Sequence, residues 1–122
     1  MGTGKAENVF DAEIISEGDA KFALANGVKI SVSTELEGRV KVSIAPEDII
    51  LSGGTFISSA RNMLKGVVTD LKIGDRSVQV LLDIGIPLVV LITRQSLQDM
   101  NIQKGNELYA VFKTMAVKVI KP

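Results

Sequence analysis

Three observations predict an all-β fold of small barrels. Apolar residues alternate with a period of two in many short runs, turn dipeptides separate those runs, and only one segment has helical spacing. Runs 21–25 and 28–32 flank Asn26 and Gly27, the pair that best tolerates the positive φ angles of a type I′ hairpin turn. Phe22 and Leu24 share one face of the first run, and Val28, Ile30 and Val32 alternate along the second. Val40, Val42 and Ile44 continue the pattern over 39–44, until Pro46 removes a ladder donor. Ser52, Gly53, Gly54 and Thr55 have the composition of a connector and form the best internal boundary.

Beyond that connector, runs 65–73 and 77–84 read as a hairpin around Gly74 and Asp75, with Val78, Val80, Leu82 and Ile84 on one face. Residues 88–92 are more uniformly apolar and read as a strand buried on both sides. Segment 93–100 is the one predicted helix, capped by Thr93 and docked by Leu97 and Met100. Lys104, Gly105 and Asn106 turn the chain into a strand over 108–113, and 116–120 supplies the last one. Many short strands with one short helix imply a β-barrel of the OB type rather than a helical or βαβ fold. The two halves are similar in length but show no clear residue-level repeat.

Composition narrows the chemistry. At 122 residues the chain fits one compact domain or two small barrels sharing a core. A hydrophobic content of 46% is that of a globular protein. Fourteen basic residues balance fourteen acidic ones, so no global field favours nucleic acid or an anionic membrane. With no histidine and no cysteine, a Ser-His-Asp triad, a Cys-His pair, a disulfide and a thiolate zinc site are all excluded. Acidic residues are scattered singly, so neither a metal cluster nor a catalytic carboxylate pair stands out. The longest apolar run, 84–92, is broken by Gly85 and Pro87 and is too short for a membrane span. Without a secretory signal pattern, the expected location is cytoplasmic.

One polar constellation remains. Ser59, Ala60, Arg61 and Asn62, followed by Lys65 and, far along the chain, by Lys113 and Thr114, place cations and small donors around short β segments. A tetrahedral oxyanion needs such a set: arginine gives a fork of N–H donors, lysine a point charge, and hydroxyls close the remaining directions. Both short segments lack carboxylates. The bland alternatives are a polar loop before a strand for 59–62 and a solvated strand end for Lys113. Thr93 has two readings, helix N-cap and anion contact, of which cap preference favours the first. Arg94 reads as a surface residue, with anion contact beside the helix N-terminus as its other reading.

Residues 58–68 (Ser58, Ser59, Ala60, Arg61, Asn62, Met63, Leu64, Lys65, Gly66, Val67, Val68) resemble the opening S-A-R-N-x-L-x-G-x-V of the molybdate-binding Mop or TOBE domain. Residues 92–97 and 111–117 resemble its later part, in the version attached to ATPases of molybdate and tungstate ABC importers. Upstream, 7–14 and 42–49 look like the stretch that follows the nucleotide-binding domain in such ATPases. There the usual G-I-R-P-E-D-I is altered, with Ser43 for glycine and Ala45 for arginine, so that arginine's role is not carried over.

The resemblance implies two OB-like barrels sharing strands, with 1–52 as an amino-terminal subdomain and 53–122 as the oxyanion-binding one. It implies a molybdate or tungstate site built from Ser59, Ala60, Arg61, Asn62, Lys113 and Thr114, with Thr93 a further candidate. It implies no catalytic residue, no metal and no required cofactor. The expected partners are the anion, a second copy of the chain, and the nucleotide-binding and membrane subunits of an ABC importer. The expected role is regulation of import by internal anion. A free-standing storage protein, or a dimerisation module with a vestigial site, is the alternative. Gly2, Thr3, Gly4 and Lys5 have the ending of a phosphate-binding loop without its spacing, and Ala6 stands where the magnesium-binding hydroxyl would be. ATP hydrolysis is therefore not expected. A nucleic-acid role is not expected either, because stacking aromatics and a basic groove are missing.

Overall fold

In the computed structural model, which describes residues 7–122, β1 (Asn8–Glu17) pairs antiparallel with β2 (Ala20–Ala25) and with β4 (Gly38–Ile44). The phosphate-loop-like residues 2–6 lie outside the described residues. β2 pairs in turn with β3 (Val28–Val32) across Asn26 and Gly27, whose φ angles of 48° and 80° are the left-handed pair a type I′ turn needs. A 3-10 turn at Pro46–Asp48 leads to β5 (Ile50–Ser52). After the connector come β6 (Asn62–Ile73), β7 (Ser77–Asp83) and β8 (Pro87–Thr93), then helix α1 (Arg94–Asp99) and β9 (Glu107–Phe112). A second 3-10 turn, Thr114–Ala116, leads to β10 (Val117–Ile120).

The ten strands of the described residues form two five-stranded sheets, ordered β10-β4-β1-β2-β3 and β5-β9-β6-β7-β8. These orders are the same once β1–β5 are matched to β6–β10, except that each half's fifth strand lies in the other half's sheet. The registers agree apart from a bulge in β6 between Val68 and Asp70. Asn8 faces Ile44 and Asn62 faces Phe112, while Lys118 faces Ser43 and Ile50 faces Val111. The fold is thus duplicated although no residue-level repeat is visible. Strand pairing needs only the alternating pattern, so the two copies diverge in identity while keeping register.

Inward positions obey the predicted alternation: Ile30, Val40, Val42, Ile44, Val78, Val80, Leu82, Leu88 and Val90 are all buried in one cluster that spans both sheets. Two expectations need correction. Residues 88–92 are covered fully on one face only, because Leu88 and Val90 are buried whereas Val89, Leu91 and Ile92 are half-buried. Leu97 docks α1 on the core, but Met100 is exposed at the helix end. β1 and β5 were not anticipated as strands. β5 is three residues long, and it owes its place to pairing with β9 rather than to local period.

Gly66 in β6 is required by close packing. A Cβ there would lie 2.7 Å from the Asp83 carbonyl oxygen and 2.8 Å from Ile84 Cγ2. The glycine of the 58–68 motif therefore serves strand packing. Among the described residues, no helix is long and apolar enough to cross a membrane.

Candidate anion-binding site

The two ends of the polar constellation meet because β6 pairs with β9. That ladder sets Asn62 opposite Phe112, so the chain entering β6 lies beside the chain leaving β9. Ser58, Ser59 and Ala60 on one side and Lys113 on the other line a single hollow of about 430 Å³. Its remaining wall is mainly apolar, with Ile50, Phe56, Val111, Phe112, Met115 and Ala116. Ser58 Oγ accepts from the Ala60 N–H at 3.1 Å, which bends the approach to β6 into a tight turn.

Arg61 and Lys113 are both exposed, and among the described residues neither forms an ion pair. Lys113 lines the hollow, whereas Arg61 and Thr114 adjoin lining residues in sequence without lining it themselves. Lys65 is different: it points to Glu107 at 3.3 Å and does not line the hollow. Asp48, from the first 3-10 turn, is the one carboxylate in the wall. Neither short motif contains a carboxylate, yet the fold delivers one from a third segment, a feature that linear reading missed.

Asn62 is only 2% exposed, and its side chain is committed to β3. Its Oδ1 accepts from the Ser31 N–H at 2.8 Å, and its Nδ2 donates to the Ser31 carbonyl at 3.1 Å. β3 is the edge of its sheet, so these Ser31 groups have no strand to pair with, and Asn62 satisfies both. The matching residue Asn8 does the same for β8, accepting from the Val89 N–H at 2.6 Å and donating to its carbonyl at 2.9 Å. Thr114, half-buried beside Lys113, has its hydroxyl 3.1 Å from that of Ser31.

Thr93 lies elsewhere. Its Oγ1 accepts from the Ser96 N–H at 3.0 Å and donates to Ser96 Oγ at 3.0 Å, the geometry of an N-cap. It lines a separate hollow with Ser96, Leu91 and Met100, and Ile50 is common to both hollows. Arg94 is exposed on the same short helix.

The point of the amino-terminal half that matches the cradle is chemically unlike it. Glu7 stands where the other half has Arg61, and its carboxylate accepts from Ser43 Oγ at 2.7 Å. Ala45 and Pro46 stand where the other half has Lys113 and Thr114. An oxyanion would meet a carboxylate there in place of the guanidinium, while Lys118, opposite Ser43, stands where the other half has Ile50.

The TOBE domain matches residues 58–119, half of the chain and the whole of the constellation. This chain belongs to the TOBE domain family. The molybdate/tungstate import ATP-binding protein WtpC of Pyrococcus abyssi is 44% identical over 110 residues, which cover 88% of this chain and 32% of that protein. The chain thus spans about a third of the length of this relative. A molybdenum-pterin-binding protein of Clostridium pasteurianum is 38% identical over 64 residues, 51% of this chain and 94% of that one. The solved structure of the cytoplasmic molybdate-binding protein ModG, with molybdate bound, superposes with a TM-score of 0.82. It covers 94% of this chain and 96% of that one at 21% identity, a likeness of fold. The TOBE match and this superposition agree with the Mop-type, OB-like architecture of two sheets.

Proposed function

We propose that this TOBE chain binds molybdate or tungstate reversibly, as the regulatory region of an ABC importer's ATP-binding subunit. One observation carries the reading: Ser59 and Ala60, far in sequence from Lys113, line one hollow with it, and Arg61, which follows Ala60, is exposed without an ion-pair partner among the described residues. In this reading the backbone and hydroxyls of 59–60 and the Thr114 hydroxyl donate to anion oxygens, while Arg61 and Lys113 supply charge. Asn62 fixes the strand that carries them. Micromolar affinity needs about 8 kcal/mol. Three to five charge-assisted bonds at about 1.5–3 kcal/mol each are sufficient after ordering costs.

The cradle is open on one side and rimmed by exposed Ile50, Phe56 and Met115. We assign that rim to a second copy of the chain, so that each anion lies between copies and Thr93 serves the neighbour's site. Anion occupancy then changes the spacing of attached ATPase domains, in the cytoplasm, through differential binding to two arrangements. Segments 1–52 and 53–122 are the scaffold and the oxyanion-binding parts of this device, and the chain itself performs no catalysis. The similarity to WtpC over most of the chain supports this role.

Calorimetric titration with molybdate, tungstate, sulfate and phosphate tests the reading. Molybdate and tungstate should bind far more tightly than sulfate, which is too small to reach every donor at about 2.7–3.2 Å. Equal binding of all four, or of none, overturns it.

A further inference from the structure

The geometry points to Ser31, outside the TOBE match and every motif above, as a positioning residue that makes the Thr114 hydroxyl a donor toward the oxyanion. This inference rests on the oxyanion reading. Ser31 belongs to β3 of the amino-terminal half, yet it contacts both ends of the constellation. Its backbone is clasped by Asn62, and its Oγ lies 3.1 Å from Thr114 Oγ1. Two hydroxyls at that distance share one hydrogen between them, since each carries one proton and two lone pairs. When Ser31 donates to Thr114, the Thr114 proton is left to point elsewhere. An anion oxygen, an acceptor only, selects that arrangement, and the relay Ser31 to Thr114 to anion polarises each bond in turn.

The other half of the duplicated fold supplies the contrast. Val89 is the counterpart of Ser31, clasped by Asn8 as Ser31 is by Asn62, and Pro46 is the counterpart of Thr114. The clasp is present in both halves. The hydroxyl pair is present only beside the cations. Architecture alone therefore does not require a hydroxyl at position 31, because valine serves in the equivalent place.

Molybdate titration of the full chain and its variants tests this. Ser31→Ala should weaken molybdate binding about fivefold, the worth of one hydroxyl hydrogen bond. The clasp to Asn62 uses only backbone atoms of Ser31, so the thermal midpoint without anion should hardly move. Ser31→Thr keeps a hydroxyl and suits a strand, and it should restore most of the affinity. In a Thr114→Ala background, Ser31→Ala should cause no further loss, because its effect passes through Thr114. Wild-type affinity in Ser31→Ala overturns the inference while leaving the oxyanion reading intact. Losses that multiply in the double variant also overturn it, since Ser31 would then act independently of Thr114. Absence of molybdate binding by the unaltered chain overturns the oxyanion reading itself, and this inference with it.

Discussion

Asn8 and Asn62 occupy the same point in the two halves of the fold, and each clasps the free edge of the opposite half. Asn8 closes two hydrogen bonds on the backbone of Val89 in β8, and Asn62 closes two on Ser31 in β3. Both asparagines are nearly fully buried. Together with the exchanged strands β5 and β10, these clasps make the two sheets one structural unit.

Replacing either asparagine with alanine leaves a strand-edge N–H and carbonyl without partners. We expect a loss of about 1–3 kcal/mol for each, read as a lower denaturant midpoint. Asn62→Asp should not rescue stability. It keeps an acceptor for the Ser31 N–H but sets an oxygen against the Ser31 carbonyl. Equal stability of Asn62→Ala and the unaltered chain would show that the clasp contributes nothing.

Gly66→Ala tests the packing role of the motif glycine. The added Cβ would meet the Asp83 carbonyl at 2.7 Å and Leu82 Cγ at 2.9 Å, and the first of these is backbone that cannot rotate away. β6 must separate from β7, at a cost of about 1–3 kcal/mol. Denaturation of the variant measures this. A fall in anion affinity at unchanged stability would instead place Gly66 in the site.

Much of the architecture was legible because strand period and turn chemistry are local. Asn26 and Gly27 specified their turn, and Val78, Val80 and Leu82 specified an inward face before any contact was known. The exchange of β5 and β10 was not legible in that way, because three apolar residues at 49–51 carry no measurable period. Their strand character comes from β9. The cradle divides along the same line. Ser59, Arg61 and Lys113 stood out by residue type and resemblance, whereas Asp48 and Ser31 reach the site only through tertiary contact. Asn62 has the residue type of a ligand, but its burial beside a sheet edge makes it a clasp.

Charge at the cradle gives the next test. Arg61→Ala and Lys113→Ala should each weaken molybdate binding by about 1.5–3 kcal/mol, the range of a hydrogen bond to a charged group. Arg61→Lys should recover only part of this, because a point charge does not reproduce the guanidinium fork. Titration at matched ionic strength makes the comparison. Full affinity in both alanine variants would remove the cations from the site.

Asp48 should act in the opposite direction. Its carboxylate lines the same hollow as Ser59 and Lys113 and repels a dianion. Asp48→Asn should strengthen binding by about two- to fivefold at low salt, and less at 0.15 M, where exposed charges are screened beyond about 8 Å. Weaker binding in this variant would mean that Asp48 orients a donor instead of opposing the anion.

Anion binding and self-association should be linked. Met115 is 87% exposed and Ile50 63% exposed, both on the rim of the cradle beside Phe56. A second copy seated there buries these side chains and closes the open side of the hollow. Ligand bound between copies stabilises the assembly by mass action, and reciprocity requires dilution to weaken the apparent anion affinity. Sedimentation across a dilution series, with and without molybdate, should show dissociation at lower protein concentration when the anion is present. Met115→Glu places a carboxylate on the rim, so it should raise the dissociation constant of the assembly and lower anion affinity together. A strict monomer that binds one anion tightly would confine the site to a single chain and remove the spacing mechanism proposed for regulation.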